Sequence, residues 1–224
     1  SSPINDNVIA KELGRAKNIS ATTDFSKIKS SGTVVVCVPT PVKKNHMPDL
    51  KPLKEACGSI APHLTKGVLV IIESTIHPGT TQTVIKRLLE EGSKMKAGKD
   101  FYLAHCPERI NPGDSTWRVD NIPRVVGGIN EESADRAAEF YKQLMPGTVI
   151  KKMNSLKEAE AVKMVENSFR DINIAFVNEL SRAFSKSNID LVNVLGGAST
   201  KPFAFMAHYP GCGVGGHCIP VDPY

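Results

Sequence analysis

Residues 33–38 read TVVVCV and residues 68–72 read VLVII, two apolar segments in which β-branched side chains dominate. Neither segment alternates between apolar and polar positions, and both are bounded by Gly, Pro or Ser. Such runs are typical of strands buried on both faces, as in a parallel sheet. Shorter candidate strands follow at 101–105, 124–126 and 148–150.

Helical patterns lie between these strands, at 50–64, 81–91 and 131–144, and Gly92 closes the second of them. Strands that alternate with helices predict an α/β fold, a right-handed wound parallel sheet with helices on its faces. We therefore expect a partial Rossmann-type domain in this part of the chain.

The pattern changes at residue 154, where Ser155 and Glu158 have the spacing of a capping box. A helical pattern without Gly or Pro then runs to about residue 186, which at 1.5 Å per residue predicts a helix of roughly 48 Å. A helix of that length joins two lobes or packs in a dimer core. A short helix over 190–195 follows, with Asp190 as its N-cap.

Composition excludes several classes of protein. The 224 residues are 41% hydrophobic and 23% charged, which excludes both a disordered chain and a membrane bundle. No apolar run approaches the ~20 residues that span a bilayer, and the first residues have no signal-peptide pattern, so we expect a soluble, cytoplasmic protein without membrane partners. The net charge of +5 comes from scattered basic residues, which favours small phosphorylated ligands over nucleic acid.

The five cysteines argue against a disulfide framework and leave room for one reactive thiol, because their number is odd and their spacing irregular. They are Cys37, Cys57, Cys106, Cys212 and Cys218. A zinc site built from Cys212, His217 and Cys218 has an unusual ligand spacing, so no metal is predicted.

The glycine-rich segment 211–218, GCGVGGHC, only superficially matches a dinucleotide-binding turn, because it follows Tyr209-Pro210 rather than a strand and precedes Pro220 rather than a helix. One interpretation is that the glycines let a ligand approach the Cys218 thiol and supply N–H groups for an oxyanion. The other is a tight structural loop with an incidental cysteine. The residues alone leave both open.

Polar residues follow two of the predicted strands, in VPTP at 38–41 and ESTIHPGTT at 73–81. Ligands of open α/β sheets lie beyond the carboxyl ends of the strands, so these residues are candidate binders. Residues 78–81 also open a helix, whose N-terminus favours anions. The alternative for both segments is turn and cap chemistry.

A third segment, HCPERINPG at 105–113, puts Glu108 just past a strand. Glu108 is either a base that acts on water or the partner of a salt bridge with Arg109 or Arg124. On the long helix, Lys163 and Asn167 share a face, and Asn178 returns to within about 20° of Asn167. That polar line is either solvated or covered by the Cys218 loop.

Six motifs in order resemble the UDP-sugar 6-dehydrogenases of the UDP-glucose/GDP-mannose dehydrogenase family, specifically the branch that acts on UDP-N-acetylhexosamines. They are VPTP, ESTIHPGTT, CPERINPG, EAEAVKMVENSFRDINIAFVNEL, STKPFAFM and GCGVGGHCIPVDPY. The resemblance implies that residues 1–153 are the C-terminal part of an NAD-binding Rossmann domain without its first βαβ unit. Residues 154–224 are then a central helical dimerisation domain, and a C-terminal UDP-sugar domain is absent.

The resemblance also implies a homodimer and a twofold NAD-dependent oxidation of a C6 hydroxyl to a carboxylate. In the family, a cysteine captures the aldehyde as a thiohemiacetal and then becomes a thioester. The implied catalytic residues are Cys218, Lys163, Asn167, Asp222, Glu108 and Thr75. The residues implied on the cofactor side are Pro39, Thr40, Glu73 and Thr75. The residues implied to contact the substrate are Glu108, Arg109, Lys163, Asn167 and Gly215.

Two departures from the UDP-glucose branch favour an N-acetylated sugar: Val221 stands where that branch has lysine, and Pro112 where it has a second acid. The sequence does not distinguish GlcNAc, GalNAc and ManNAc, nor NAD from NADP. Two other functions stay open from the residues, a noncatalytic nucleotide-sugar binding module and a β-hydroxyacid-type dehydrogenase. Synthesis of polysaccharide precursors is an expectation from the family.

Overall fold

The computed structural model describes residues 18–43, 45–111, 114, 116–216, 218–219 and 221–222. Pro112 and His217, which entered the arguments on substrate and metal, lie outside the described residues, as do residues 1–17. The chain divides into two compact units, and the boundary falls within one helix, between Val162 and Lys163. Residues Val42–Met47 belong to the second unit. Among the helices described, none is long and apolar enough to cross a membrane.

The first unit is built on a five-stranded sheet whose order follows the chain. The strands are β1 (Thr33–Val36), β2 (Leu69–Ile72), β3 (Tyr102–His105), β4 (Arg124–Gly128) and β5 (Ile150–Lys152). The predicted strands are therefore confirmed, although β5 begins where the predicted segment ends. β1, β2 and β3 are mutually parallel, and β5 is parallel to β4.

β4 runs antiparallel to β3, which differs from the all-parallel sheet expected from the sequence. The connection between them explains the difference. A parallel pair needs a crossover, usually a helix, and the described residues of 106–123 contain no helix. Instead this loop carries Glu108.

Helices cover both faces of the sheet: α1 (Lys51–Ile60), α2 (Lys86–Ser93) preceded by a π-helical turn (Thr81–Ile85), and α3 (Glu131–Leu144). Short 3₁₀ turns lie at Phe25–Ser30 and Ala61–His63. β2 is buried throughout, and its alternate residues divide between two cores: Val70 and Ile72 pack with α1 and α2, whereas Leu69 and Ile71 pack with α3.

Gly92, predicted to end a helix, lies inside α2 instead. A Cβ at this position would lie 2.5 Å from Cβ of Ala61, so the glycine allows α2 to approach its neighbour closely. The helix ends where Lys94 adopts a left-handed conformation, with φ 60°.

The long predicted helix is confirmed as α4 (Leu156–Lys186), 31 residues or about 47 Å long. Its capping box forms: Oγ of Ser155 accepts from the Glu158 N–H at 3.2 Å, and the Glu158 carboxylate accepts from the Asn154 N–H at 2.9 Å. In the second unit, Asp190 is the N-cap of α5 (Leu191–Ala198), and its Oδ1 accepts from the Val192 N–H at 2.9 Å. Val177, Leu191 and Leu195 form the core of this unit.

Candidate active site

The loops after β1 and β2 meet at the carboxyl edge of the parallel part of the sheet. Oγ1 of Thr40 donates to the carbonyl of Thr75 at 2.6 Å, and Oγ of Ser74 donates to the carbonyl of Val38 at 2.7 Å. Pro39 is exposed beside these contacts, whereas Thr40 and Thr75 are half-buried. Three of the residues predicted on the cofactor side are thereby brought together in the position where α/β sheets bind ligands.

The helix N-terminus at 79–81, a candidate anion site in the sequence, binds a carboxylate of the chain itself. The buried Glu160 accepts hydrogen bonds from the N–H of Gly79 and, at 2.8 Å, from the N–H of Thr81. The negative charge favoured at a helix N-terminus is therefore supplied from within the fold. Capping, the alternative interpretation of this segment, is the one that the structure supports.

Glu73, predicted on the cofactor side, has contacts at both carboxylate oxygens. Oε1 accepts from the hydroxyl of Tyr141 and lies 3.6 Å from Nη1 of Arg124, and Oε2 accepts from Sγ of Cys37 at 3.2 Å. Burial raises the pKa of Tyr141, and the Cys106 thiol and the Glu73 carboxylate raise it further. Tyr141 is therefore a neutral donor to Glu73.

Glu108 lies in the loop after β3, and its carboxylate is also fixed at both oxygens. Oε1 accepts from the N–H groups of Arg109 and Ile110 at 2.7 and 2.8 Å, and Oε2 lies 2.8 Å from Nη1 of Arg124. Arg124 is thus an ion-pair partner of Glu108, one of the two alternatives that the sequence offered. Nη1 of Arg109 donates to the carbonyl of Pro123 at 2.8 Å and ties the loop to the start of β4.

Sequence reasoning offered Arg124 only as a possible partner of Glu108; it missed the contact of Arg124 with Glu73 and the whole contribution of Tyr141. The available signal was a single arginine at the start of an apolar strand, which is a charge expected to find a carboxylate if buried. Burial works against the charged form of Arg124, yet Glu108 and Glu73 raise its pKa overall.

The cysteines differ in chemistry. Burial raises the pKa of Cys37, Cys57 and Cys106 to about 12 each, and at Cys37 the hydrogen bond to Glu73 adds to the effect. These three thiols are therefore protonated at neutral pH and poor nucleophiles. Cys212 and Cys218 are exposed in the second unit.

The Cys218 loop packs over the polar face of α4, which decides between the two interpretations of that face. Nδ2 of Asn167 donates to Oδ2 of Asp222, and Oδ1 of Asn178 accepts from the N–H of Gly211 at 3.0 Å. Burial raises the pKa of Asp222, while Lys163 and the Asn167 hydrogen bond partly oppose the rise. Asn167 and Asn178, two of the three polar residues predicted to share a face of α4, thus hold the two ends of the loop.

The loop closes on itself at Cys218, whose carbonyl accepts from the N–H groups of Val221 and Asp222 at 3.0 and 2.8 Å. Gly213 and Gly216 have φ of 105° and 89°, a region that L side chains rarely adopt. Among the described residues, no atom lies within 4 Å of a Cβ built on Gly215. No group of three or more His, Cys, Asp or Glu that could hold a metal occurs in the part of the chain that the structure describes.

Residues 2–145 match the model of the UDP-glucose/GDP-mannose dehydrogenase family, NAD binding domain, and residues 157–224 match the model of that family's central domain. The chain belongs to the UDP-glucose/GDP-mannose dehydrogenase family. This confirms the resemblance drawn from the six motifs, and with it the α/β fold and NAD as the cofactor of the family's N-terminal domain.

Relatives within the family carry N-acetylhexosamine names. The chain is 42% identical over 217 residues to a UDP-N-acetyl-D-glucosamine 6-dehydrogenase of Pseudomonas aeruginosa, a match that covers 97% of this chain and 51% of the relative. A solved UDP-D-ManNAc dehydrogenase of Pyrococcus horikoshii superposes with a TM-score of 0.87 at 38% identity, covering 95% of this chain and 50% of that one. An NDP-N-acetyl-D-galactosaminuronic acid dehydrogenase of Methanosarcina mazei Go1 has a TM-score of 0.82 at 36% identity, covering 97% and 46%. The chain thus spans about half the length of the curated relatives it matches.

Proposed function

We propose that this chain carries the cofactor-side and catalytic residues of a UDP-N-acetylhexosamine 6-dehydrogenase, which oxidises the C6 hydroxyl of the sugar to a carboxylate. The observation that carries the proposal is the Cys218 loop, held on the Lys163 face of α4 by Asn167 and Asn178 in a member of this family. In this proposal residues 1–153 serve the NAD-binding domain and residues 154–224 the central domain.

The loops after β1 and β2 suit a nicotinamide cofactor because they offer a hydroxyl and peptide groups at the carboxyl edge of parallel strands. Bound NAD⁺ supplies a hydride acceptor for each of the two oxidation steps. Pro39, Thr40 and Thr75 line the cofactor, and the contact between Thr40 and Thr75 keeps their loops together. Because both oxygens of Glu73 already have partners, Glu73 acts on this side by fixing the loop.

Lys163 and Asn167 act on the C6 oxygen of the substrate. The ammonium and an amide N–H of these residues stabilise negative charge on that oxygen as a proton leaves and as the carbonyl is later attacked. An amide has two N–H donors, so Asn167 can contact substrate while it also donates to Asp222. Asp222 orients the catalytic water, and Gly215 and Arg109 contact the sugar nucleotide.

Cys218 is the nucleophile that links the two oxidations. Its thiolate adds to the C6 aldehyde to give a thiohemiacetal, loss of a hydride from C6 leaves a thioester, and attack by water releases the carboxylate and the thiolate. Overall, one alcohol, one water and two NAD⁺ give one carboxylate, two NADH and three protons. The covalent bond explains how one enzyme can oxidise the same carbon twice without releasing the aldehyde.

Glu108 assists hydrolysis of the thioester by accepting a proton from the attacking water, and Thr75 helps to hold that water. The contacts of Glu108 with two backbone N–H groups and with Arg124 fix the orientation of the carboxylate for this role.

The names of the relatives favour an N-acetylated sugar, and they include both glucosamine and mannosamine derivatives. We infer that the product is a UDP-N-acetylhexosaminuronic acid made in the cytoplasm for polysaccharide synthesis. We also infer a homodimer built on α4.

The deciding experiment measures NADH formed per sugar by the full-length gene product, with UDP-GlcNAc, UDP-GalNAc, UDP-ManNAc or UDP-glucose limiting. Two NADH per sugar from one N-acetylated substrate is the expected result. Cys218→Ser should stop acid formation, whereas Cys212→Ser, at the other exposed thiol of the loop, should retain it. No NADH from any of the four sugars, or full acid formation by Cys218→Ser, would overturn the proposal.

A further inference from the structure

Arg124 is a buried cation between two carboxylates at the carboxyl edge of the sheet. Its side chain is 4% exposed, and Nη1 lies 2.8 Å from Oε2 of Glu108 and 3.6 Å from Oε1 of Glu73. The guanidinium carbon also lies 5.5 Å from the ring centroid of Tyr141. The nearer of the two carboxylates is therefore the one with a proposed catalytic role.

The two carboxylates differ in exposure and in partners. Glu73 is 15% exposed and also receives the Tyr141 hydroxyl and the Cys37 thiol. Glu108 is 31% exposed, so it is the member of the cluster that is accessible to water. Arg124 thus connects an inner carboxylate, which is held by the fold, to an outer one that faces solvent.

Burying such an ion pair is not an efficient way to stabilise a fold. Desolvation of the guanidinium costs several kcal/mol, and well-packed apolar residues of similar volume often stabilise a protein as much or more. A buried arginine that contacts a partly exposed carboxylate therefore suggests a functional reason. At Glu108, the two backbone N–H groups fix Oε1, and Arg124 controls Oε2, the oxygen that remains.

We propose that Arg124 is a positioning residue for thioester hydrolysis, which holds Glu108 oriented so that Oε2 can accept a proton from the attacking water. This inference rests on the proposed function. Glu73 and Tyr141 act one step further back, because they hold the guanidinium in place.

The charge balance around the pair supports this role. Groups from several elements face it: Cys37 after β1, Glu73 after β2, Cys106 after β3, Tyr141 on α3, and Arg109 beside Glu108 in the loop. Burial raises the pKa of Cys37 and of Cys106 to about 12, and it also raises that of Tyr141, so these three groups are neutral at physiological pH. Glu73 competes for the same guanidinium, and its hydrogen bond from Tyr141 moderates that competition.

The test uses the full-length enzyme and the sugar that gives two NADH per molecule with the wild type. Rapid-quench assays follow NADH formation and acid release separately. Arg124→Met should lower the rate of acid release about tenfold, because Glu108 is no longer held in position, and let the thioester accumulate. NADH formation should change little, and Arg124→Lys, which keeps a cation beside Glu108, should restore most of the rate of acid release.

Arg136→Met is the matched control, since it removes an arginine that also pairs with a carboxylate, Glu132 at 3.2 Å, but at the surface. It should leave both NADH formation and acid release at their wild-type rates. If Arg124→Met does not fold, the double variant Glu73→Gln/Arg124→Met removes both charges of the inner pair and should slow acid release in the same way.

Equal losses of NADH formation and acid release in a folded variant that lacks Arg124, or no loss of acid release, would overturn the positioning role and leave a structural one. A wild type that gives fewer than two NADH per sugar would instead overturn the proposed function. The two failures are therefore distinguishable.

Discussion

Oδ1 of Asn178 accepts a hydrogen bond from the backbone N–H of Gly211 at 3.0 Å, and this bond ties the start of the Cys218 loop to helix α4. At the other end of the loop, Asn167 donates to Asp222. The two asparagines are eleven residues apart and so lie on the same face of the helix. The conformation of a glycine-rich loop, which has little preference of its own, is thereby set by a rigid element.

Replacing Asn178 by Ala should release this end of the loop. The lost hydrogen bond is worth about 1 kcal/mol, so the Gly211 amide should exchange with solvent about fivefold faster or more. Hydrogen-exchange mass spectrometry of the peptide that contains Gly211 measures the change.

The matched control is Asn173→Ala. Nδ2 of Asn173 donates to the carbonyl of Phe169, four residues earlier, just as Nδ2 of Asn178 donates to that of Ile174. Only a local helix contact is removed by the control, so exchange at Gly211 should stay at its wild-type rate. Equal exchange rates in both variants would show that Asn178 does not hold the loop.

The elements of this chain that were predictable from sequence depend on short-range signals. The β-branched run of β2 is buried on both faces, as its composition predicts, and Ser155 and Glu158 form the capping box expected from their spacing. The direction of β4 was not predictable in this way, because it depends on a connection without a helix. The thiol-bearing loop and the polar face of α4 were each recognisable, but their contact became visible only in the structure.

Contacts between residues far apart in sequence account for the rest of the site. Glu160 binds the N–H of Gly79, 81 residues away, and Tyr141 binds Glu73, 68 residues away. No local pattern links such pairs, because their proximity follows from the order of the strands. Sequence reasoning therefore identified Glu108 as a candidate base but not the cluster that supports it.

Glu160→Gln should destabilise the first unit. The carboxylate accepts from the N–H groups of Gly79 and Thr81 in a buried position, and hydrogen bonds to a charged group contribute about 1.5–3 kcal/mol each. A neutral amide keeps one acceptor oxygen and loses the favourable interaction with the helix N-terminus. We expect a loss of about 2 kcal/mol, seen as a lower urea midpoint with an unchanged slope.

Glu158→Gln provides the comparison, because Glu158 also caps a helix through a backbone N–H, but at the surface. Glu158→Gln should lower the free energy of unfolding by less than about 1 kcal/mol. If the two substitutions lower the free energy of unfolding equally, burial of the Glu160 carboxylate does not strengthen its hydrogen bonds to the helix N-terminus.

Gly128 is required at the end of β4 because a neighbouring backbone leaves no room for a side chain. A Cβ there would lie 2.3 Å from the backbone N of Ala134 at the start of α3. Gly128→Ala should therefore move α3 away from the strand and cost about 2 kcal/mol or more. Thermal unfolding measures the loss.

Gly58→Ala is the opposite case in the same unit. Gly58 lies within α1, and a Cβ built on it meets no atom within 4 Å. Alanine should therefore stabilise the helix by about 0.5–1 kcal/mol. A Gly128→Ala protein as stable as Gly58→Ala would contradict the close approach of α3.

The pH dependence of stability should reveal the environment of Asp222. Burial raises its pKa above 3.8, against the opposing effects of Lys163 and Asn167. The folded state therefore holds this proton more tightly than the unfolded state does. The stabilising contribution of Asp222 is fully present below pH 3.8 and is lost as the pH rises through the raised pKa of the folded state.

Asp222→Asn removes this titration and provides the measurement. The free energy of unfolding of the wild type minus that of the variant should fall as the pH rises from about 3.5 to 7, in urea titrations at each pH. A difference that rises over the same range would mean that Lys163 and Asn167 outweigh burial at this carboxylate.

Helix α4 exposes an apolar stripe that a second copy of the chain would cover. Val165, Phe169, Ile172 and Phe176 are between 48% and 66% exposed in the single chain, and they recur at helical spacing on the part of α4 in the second unit. Contiguous apolar surface of this kind marks an interface.

We therefore expect the protein to be a dimer in solution, and we expect Ile172→Glu to shift it to a monomer, with light scattering giving the mass. Val192→Glu, at an exposed apolar position on α5, is the control and should leave the dimer intact. A wild-type monomer would refute the assignment of this stripe to self-association.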